Sequence, residues 1–341
     1  MWRWLQLLVA SLAACAAIAS AQSRNLEIYW IDVEGGAATL VVTPSGESLL
    51  YDAGWVVDDR DAKRIAAHAQ QIGLKKIDAF VLSHYHADHM GGLPALAKLI
   101  PIDRYYDHGD GVDEVDRARY DAYMAVARGK RTVLKAGETI PLKGVQALVV
   151  ASDAQFIPNP VNRGGPNPLC ADAEQRPLAA PENRRNVGVL FTFGAFTFLD
   201  LADLDWASEV ALTCPVNRVG TVNIWQANRH GALDGAGAPS FLGAIKPQVI
   251  IANNGPRKGL GQGPTPSYSY EKIARLPGVE DIWQGHLAMT DPAHNTSERL
   301  IANLEETLEC KGHWIKASVA PDGRFTITNG RNGFSKTYSA R

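Results

Sequence analysis

The chain has 341 residues, with 34 Lys+Arg against 36 Asp+Glu, a formal net charge of −2, 46% hydrophobic and 21% charged residues. This is globular composition, and it excludes a disordered chain and an extended basic surface for nucleic acid. The length suffices for one large domain with a sizeable core.

Residues 1–21 read as a secretory signal. Arg3 supplies the positive start, 5–18 is apolar and Ala-rich, and Ala19-Ser20-Ala21 fits an A-x-A cleavage site. The apolar run is short for a membrane anchor. Lipoprotein processing is an alternative, because Leu12-Ala13-Ala14-Cys15 resembles a lipobox that would place a lipid on Cys15. Cleavage after Ala21 leaves 22–341 as a single domain, expected to be secreted or periplasmic. Cys170, Cys214 and Cys310 then remain, enough for one disulfide with a thiol left over. None forms a C-x-x-C pair, so thiolate zinc sites and redox motifs are not expected. No later segment has the length and apolarity of a membrane span.

In chain order, 26–33, 38–43 and 48–52 are short β-rich runs broken by Gly35-Gly36 and Pro44-Ser45-Gly46, the pattern of a meander. Helical spacing covers 60–72 and stops at Gly73. A buried strand at 79–82 delivers the chain to Ser83-His84. Helices are expected at 91–100 and 115–128, and a strand at 146–152. Residues 153–183, rich in Pro, Asn and Gly, read as a long loop or insertion. Strands at 187–193 and 196–199 flank Gly194-Ala195. Helices follow at 205–213, 239–245, 268–275 and 297–308, with strands at 222–226, 249–252 and 281–283. A hairpin, 315–319 with 325–328, closes the chain around Pro321-Asp322-Gly323. Strands opening both halves, with helices alternating later, predict two sheets with outer helices in one α/β unit.

The most informative stretch is Ser83-His84-Tyr85-His86-Ala87-Asp88-His89, which holds three of the nine histidines. Imidazoles two apart on extended chain point the same way, so His84 and His86 can share one ion. A turn then brings Asp88 and His89 around a second. Neutral imidazole with carboxylate suits Zn²⁺, with Mn²⁺ or Fe²⁺ as alternatives. No P-loop, dinucleotide fingerprint or G-x-S-x-G is present.

LSHYHADHMGGL resembles the signature of the metallo-β-lactamase superfamily, and most closely that of its ComEC-like branch, whose members include DNA-uptake nuclease domains and secreted hydrolases. The opening IDVEGGAATLVVTPSGESLLYDAGW and the later NRRNVGVLFTFGAFTFLDLADLDWASE are similar to that branch's first hairpin and later strand pair. The resemblance covers nearly all of the mature chain. It implies a four-layer αβ/βα sandwich of two mixed sheets. It also implies His84 and His86 on metal 1, Asp88 and His89 on metal 2, and Asp203 bridging them. Asp200, at the end of its strand, competes for the bridging role, and a helix N-cap is the plain reading of either Asp.

Two positions depart from the family pattern. Asn228-Arg229-His230-Gly231 stands where the superfamily has His-His-Gly, so Arg229 replaces the expected ligand and His230 is the candidate to fill the role. A guanidinium cannot ligate a cation; it would repel one or bind substrate anions. No His lies between His108 and His230, so metal 1 lacks its third imidazole, and Glu182 or Asn183 could approach that position. His286, after a strand, is a candidate substrate or general-acid group. His108 is a further site candidate, whereas His68, His294 and His313 read as surface or partly buried. Lys258, in the loop after 249–252, could meet an anionic substrate or simply be solvated.

The expected activity is that of a secreted metallo-hydrolase using a metal-activated water. Asp88 would hold the nucleophile or take its proton, and Arg229, Lys258 or His286 would stabilise negative charge. Branch resemblance implies a small anionic ester, a phosphodiester or phosphorylcholine type. The alternatives are a lactone or β-lactam, and a binding protein on a degenerate site.

Overall fold

The computed structural model describes residues 25–111, 115–177, 181–265, 267–306 and 310–341. The signal segment 1–21, with Arg3 and Cys15, lies outside the described residues. The first half opens as the expected meander, β1 (Leu26–Trp30), β2 (Thr39–Val42) and β3 (Ser48–Tyr51), all antiparallel. Helix and strand then alternate through α1 (Arg60–Gln71), β4 (Ala79–Val81), α2 (Ala87–Met90), α3 (Leu93–Leu99), β5 (Tyr105–Asp107), α4 (Arg117–Ala127) and β6 (Arg131–Val133). Strands β3 to β6 pair in parallel, as helical crossovers require.

The second half begins with β7 (Thr139–Ile140), β8 (Gln146–Ser152), β9 (Gln155–Phe156), β10 (Gly165–Pro166) and α5 (Pro181–Arg184). It continues through β11 (Gly188–Phe193), β12 (Phe196–Asp200), α6 (Trp206–Thr213), β13 (Val216–Asn217) and β14 (Ile224–Gln226). It ends with α7 (Pro239–Ile245), β15 (Val249–Ala252), α8 (Tyr268–Ala274), β16 (Asp281–His286) and β17 (Ile301–Asn303). The last strands, β18 (Ile315–Val319), β19 (Arg324–Asn329) and β20 (Ser335–Ser339), return to the first sheet beside β1. The sheet orders are β20-β19-β18-β1-β2-β3-β4-β5-β6 and β17-β16-β15-β14-β12-β11-β8-β7.

Successive side chains of a strand point to opposite faces, and here both faces are covered. Val41, Leu49 and Tyr51 face Phe191, Phe198 and Trp283 between the sheets, where Trp30 meets Phe198 edge-on at 5.3 Å. The alternate residues Leu40, Leu50 and Phe80 pack under Ile65 of α1 and Leu93 and Leu96 of α3. Leu199, Trp225 and Ile250 pack under Val210 of α6 and Phe241 of α7. Three apolar layers between two sheets and two helical faces make the four-layer sandwich expected from the sequence.

Several boundaries differ. The helix expected at 297–308 is a short 3₁₀ turn (Glu298–Leu300) leading into β17, because Ile301 and Ala302 complete the edge beside β16 in the inter-sheet core. Of that segment, 307–309 lie outside the described residues. The closing hairpin gains a third strand, β20, and β16 runs on to His286. The helix expected at 91–100 is α3 (Leu93–Leu99), and a further short helix, α2 (Ala87–Met90), precedes it across Gly91-Gly92. A Cβ on Gly92 would lie 2.2 Å from the Ala53 carbonyl oxygen, so only glycine lets the chains approach so closely. The insertion at 153–183 carries β9, β10, α5 and Cys170, which forms a disulfide with Cys214. Cys310 is left as a free thiol. Among the described residues no helix is long and apolar enough to cross a membrane. His68 is buried rather than superficial, packed edge-on against Tyr29 at 4.6 Å.

Candidate metal centre

The site is built where β4 and β12 end, at the rim shared by both sheets. Strand β4 runs into Ser83, and the next residues fold back at once into α2. This hairpin-tight reversal is held by Asp52, which follows β3. The Ser83 amide and hydroxyl both donate to Asp52 at 2.7 Å, and His89 Nδ1 lies 2.7 Å from Asp52 Oδ2. A carboxylate on Nδ1 fixes the ring and turns Nε2 toward the cleft.

There His89 Nε2 lies 3.3 Å from Asp88 Oδ2 and 3.4 Å from Asp203 Oδ1. His230 Nε2 lies 3.1 Å and 3.3 Å from the same two oxygens. Ligand bonds of about 2.0–2.2 Å around a tetrahedral centre set edges of about 3.3–3.6 Å, so these four atoms have the spacing of one coordination shell. His89 Nε2 and Asp203 Oδ1 are buried yet have no hydrogen-bond partner among the described residues, which a cation would provide. The donor set therefore fits a divalent metal on geometry and on chemistry.

His84 Nε2 and His86 Nδ1 converge separately at 2.8 Å, and the His84 and His89 ring centroids are 4.1 Å apart. Behind them Glu182 Oε1 accepts the Tyr85 amide at 2.9 Å and lies 2.7 Å from His108 Nε2. Both of these candidates thus brace the motif from its far side. Asn183 Oδ1 is buried without a hydrogen-bond partner among the described residues.

Electrostatics follow the same geometry. Burial opposes ionisation of Asp88 and Asp203, yet the neighbouring imidazoles, and for Asp88 also Lys258, hold both carboxyls well below the usual range. Burial likewise opposes charge on His89, but Asp88, Asp52 and Asp203 together push it well above an ordinary histidine. His84 is driven well below, first by burial and then by the nearby rings. Asp200 stays outside the four-donor set. It accepts from the Ala202 amide at 3.0 Å and Gln226 Nε2 at 2.9 Å, and burial pushes it up to about 7.

The Arg229 substitution resolves through the backbone. Arg229 and His230 both take left-handed conformations, φ 54° and 58°, in a turn that swings His230 into the cluster. The Arg229 guanidinium packs against Gly235 and makes no ion pair among the described residues. Trp225 Nε1 and the Asn228 amide fix this turn, since Asn228 Nδ2 donates to Glu209 Oε1 at 2.7 Å. Lys258 reaches Asp88 Oδ2 with its ammonium 4.7 Å from the Trp55 ring centre. His286 is not in the four-donor cluster: its Nε2 faces Asp32 Oδ2 at 3.3 Å and Cys310 Sγ at 3.7 Å. Burial opposes its charge, but those partners raise it to about 9. Sequence reading missed Asp52, Glu209 and Trp55. Only Asp52 left a signal, a carboxylate directly after the apolar run Leu49-Leu50-Tyr51.

Residues 31–169 match the family model described as the Metallo-beta-lactamase superfamily. The chain is 32% identical over 150 residues to a UPF0173 metal-dependent hydrolase of Cupriavidus necator, covering 40% of this chain and 50% of that protein. It is 33% identical over 119 residues to a UPF0173 metal-dependent hydrolase of Cupriavidus taiwanensis, covering 31% and 40%. The chain thus spans half or less of the length of these curated relatives. Among solved structures it is similar to the metallo-beta-lactamase fold protein YhfI from Bacillus subtilis, at 12% identity and TM-score 0.46 over 76% of this chain and 96% of that one.

Two outcomes follow. Asp52→Asn lowers divalent-metal affinity by about 10- to 100-fold in a competition titration, with the circular dichroism spectrum unchanged; unaltered affinity would contradict the Asp52–His89 account. Burial pushes Glu209 from 4.5 up to about 8. Its folded pKa therefore lies above the unfolded one, so its contribution is complete below about pH 4 and is lost as pH rises through about 8. The melting temperature falls between pH 6 and pH 9, and Glu209→Gln flattens that fall; an identical slope in the variant would contradict it.

Proposed function

We propose that the protein is a metal-dependent hydrolase of the ComEC-like branch, secreted or periplasmic, acting on a phosphodiester or related phosphate ester. The observation carrying this reading is the buried ring of Asp88, His89, Asp203 and His230 with Lys258, about one-third exposed, at its edge. Two imidazoles and two carboxylates suit Zn²⁺, with Mn²⁺ or Fe²⁺ as alternatives, and His84 with His86 offer donors for a second ion. A bound cation supplies Lewis acidity, polarising an ester oxygen and acidifying water toward neutral pH.

The chain's own residues do the rest. Asp88 and Asp203, held ionised, orient water by accepting its hydrogens at the oxygens that do not face the cation, and take up its proton at Asp88 Oδ1 or Asp203 Oδ2. Lys258 supplies a compact positive charge for a phosphate oxygen, with the indole of Trp55 flanking its ammonium. The Cys170–Cys214 disulfide supports an oxidising compartment, which agrees with export through residues 1–21, with or without a lipid on Cys15.

Turnover of an aryl phosphodiester, a lactone and a β-lactam by the same preparation separates the substrate classes. Diester turnover is expected, abolished by chelation and restored by a divalent ion. Lys258→Ala lowers kcat/KM for the diester by about 10- to 100-fold, the worth of one charge-assisted hydrogen bond. Turnover of the β-lactam or the lactone alone overturns the diester assignment, and no turnover of any substrate by metal-loaded protein favours a non-catalytic binding role.

A further inference from the structure

We propose that Cys310, His286, Asp32 and Glu34 form a second divalent-metal site, separate from the four-donor cluster and suited to a thiophilic ion such as Zn²⁺. One ligand-type atom from each lies within 4.8 Å of all the others. The three distances that define the group are His286 Nε2 to Asp32 Oδ2 at 3.3 Å, His286 Nε2 to Cys310 Sγ at 3.7 Å, and Cys310 Sγ to Asp32 Oδ2 at 3.9 Å. A tetrahedral zinc with bonds of about 2.3 Å to sulfur and about 2.0–2.1 Å to nitrogen and oxygen sets edges of about 3.3–3.6 Å. The observed triangle is that shape, slightly open on the sulfur side.

The surroundings match a metal shell in three further respects. His286 is fully buried at the end of β16, which fixes the ring with Nε2 turned toward Asp32 and Cys310. Arg64 orients the acidic side by reaching Asp32 at 3.3 Å and Glu34 at 3.0 Å, while it also donates to the Cys310 carbonyl at 2.6 Å. Arg60 adds a second ion pair to Glu34. With the sulfur as thiolate and His286 neutral, as ligation requires, three negative charges face two guanidiniums, so the deprotonated cluster presents a net charge of −1 to a cation. Cys310 also lines a surface cleft of about 330 Å³, which gives an ion a way in. When the metal–sulfur and metal–nitrogen bonds form, the thiol proton of Cys310 and the imidazolium proton of His286 both leave to solvent.

Four protein donors including a thiolate describe a structural rather than a catalytic site. Its place in the fold says what it would hold. The chain from Asp32 to Ala37 links the two clusters: a Cβ on Gly35 would lie 2.9 Å from Lys258 Cβ, and the Ala37 amide donates to the Asp88 carbonyl at 3.1 Å. Binding at Cys310 would therefore clamp the loop that positions Asp88 and Lys258.

Cobalt titration of the full chain tests this without reference to turnover. A Cys15→Ser background, handled without reductant, keeps the Cys170–Cys214 bond and leaves Cys310 as the reactive thiol. An intense near-ultraviolet sulfur-to-cobalt charge-transfer band is expected, saturating at the intensity of one cobalt–thiolate bond per chain. It should disappear in Cys310→Ser, while the weak visible bands of cobalt on nitrogen and oxygen donors remain. His286→Gln should weaken the cobalt affinity read from that band by about tenfold or more. Absence of the band at saturating cobalt, with one free thiol counted, overturns the proposal. So does a band whose midpoint ignores His286→Gln.

Discussion

The centre depends on one buried carboxylate. Asp52 sits fully buried where β3 ends, beside the parallel strand β4, and takes the Ser83 amide, the Ser83 hydroxyl and His89 Nδ1. Those contacts fasten the end of β4 to the first turn of α2, so Asp88 and His89 are presented on a fixed frame rather than a free loop. A buried acceptor that satisfies three donors is costly to disturb, because each would otherwise be left without a partner in a dry interior. The remaining ligands arrive from the other sheet, Asp203 just after β12 and His230 just after β14. The four-layer packing is what brings these two sheet rims together.

The sequence made the architecture and most of the centre legible, for separable reasons. The near-continuous apolar runs in Thr39–Val42 and Ser48–Tyr51 carry two-sided burial directly, and H-x-H-x-D-H puts four donors within six residues. In space Asp203 joins Asp88, His89 and His230, whereas Asp200 accepts from Gln226 and the Ala202 amide. Arg229 was harder to read. A substitution at an expected ligand position looks damaging until the two left-handed residues are seen, and backbone handedness at non-glycine positions has no clear sequence signature. Segment 297–308 misled because a short apolar run at a sheet edge and the buried face of a helix share the same composition.

Groups that act through long-range contacts were the least visible. Glu209 supports the His230 turn from α6, and Asp32, Glu34, His286 and Cys310 meet although up to 278 residues separate them in sequence. The lack of a C-x-x-C pair argued against a thiolate site, but that spacing rule concerns ligands from one local loop. Donors gathered from β16, the β1–β2 connection and the segment before β18 escape it. The loop from Asp32 to Ala37 lies between both clusters, so the two places where charge is concentrated share one stretch of backbone.

The most direct test of the central claim is metal content, measured by elemental analysis after desalting in the Cys310→Ser background so that the thiolate cluster does not contribute. The His89 parent should retain more transition metal than a His89→Ala variant, by at least one equivalent per chain. Equal metal content in the two proteins, both folded, would mean that Asp88, His89, Asp203 and His230 do not converge on a cation.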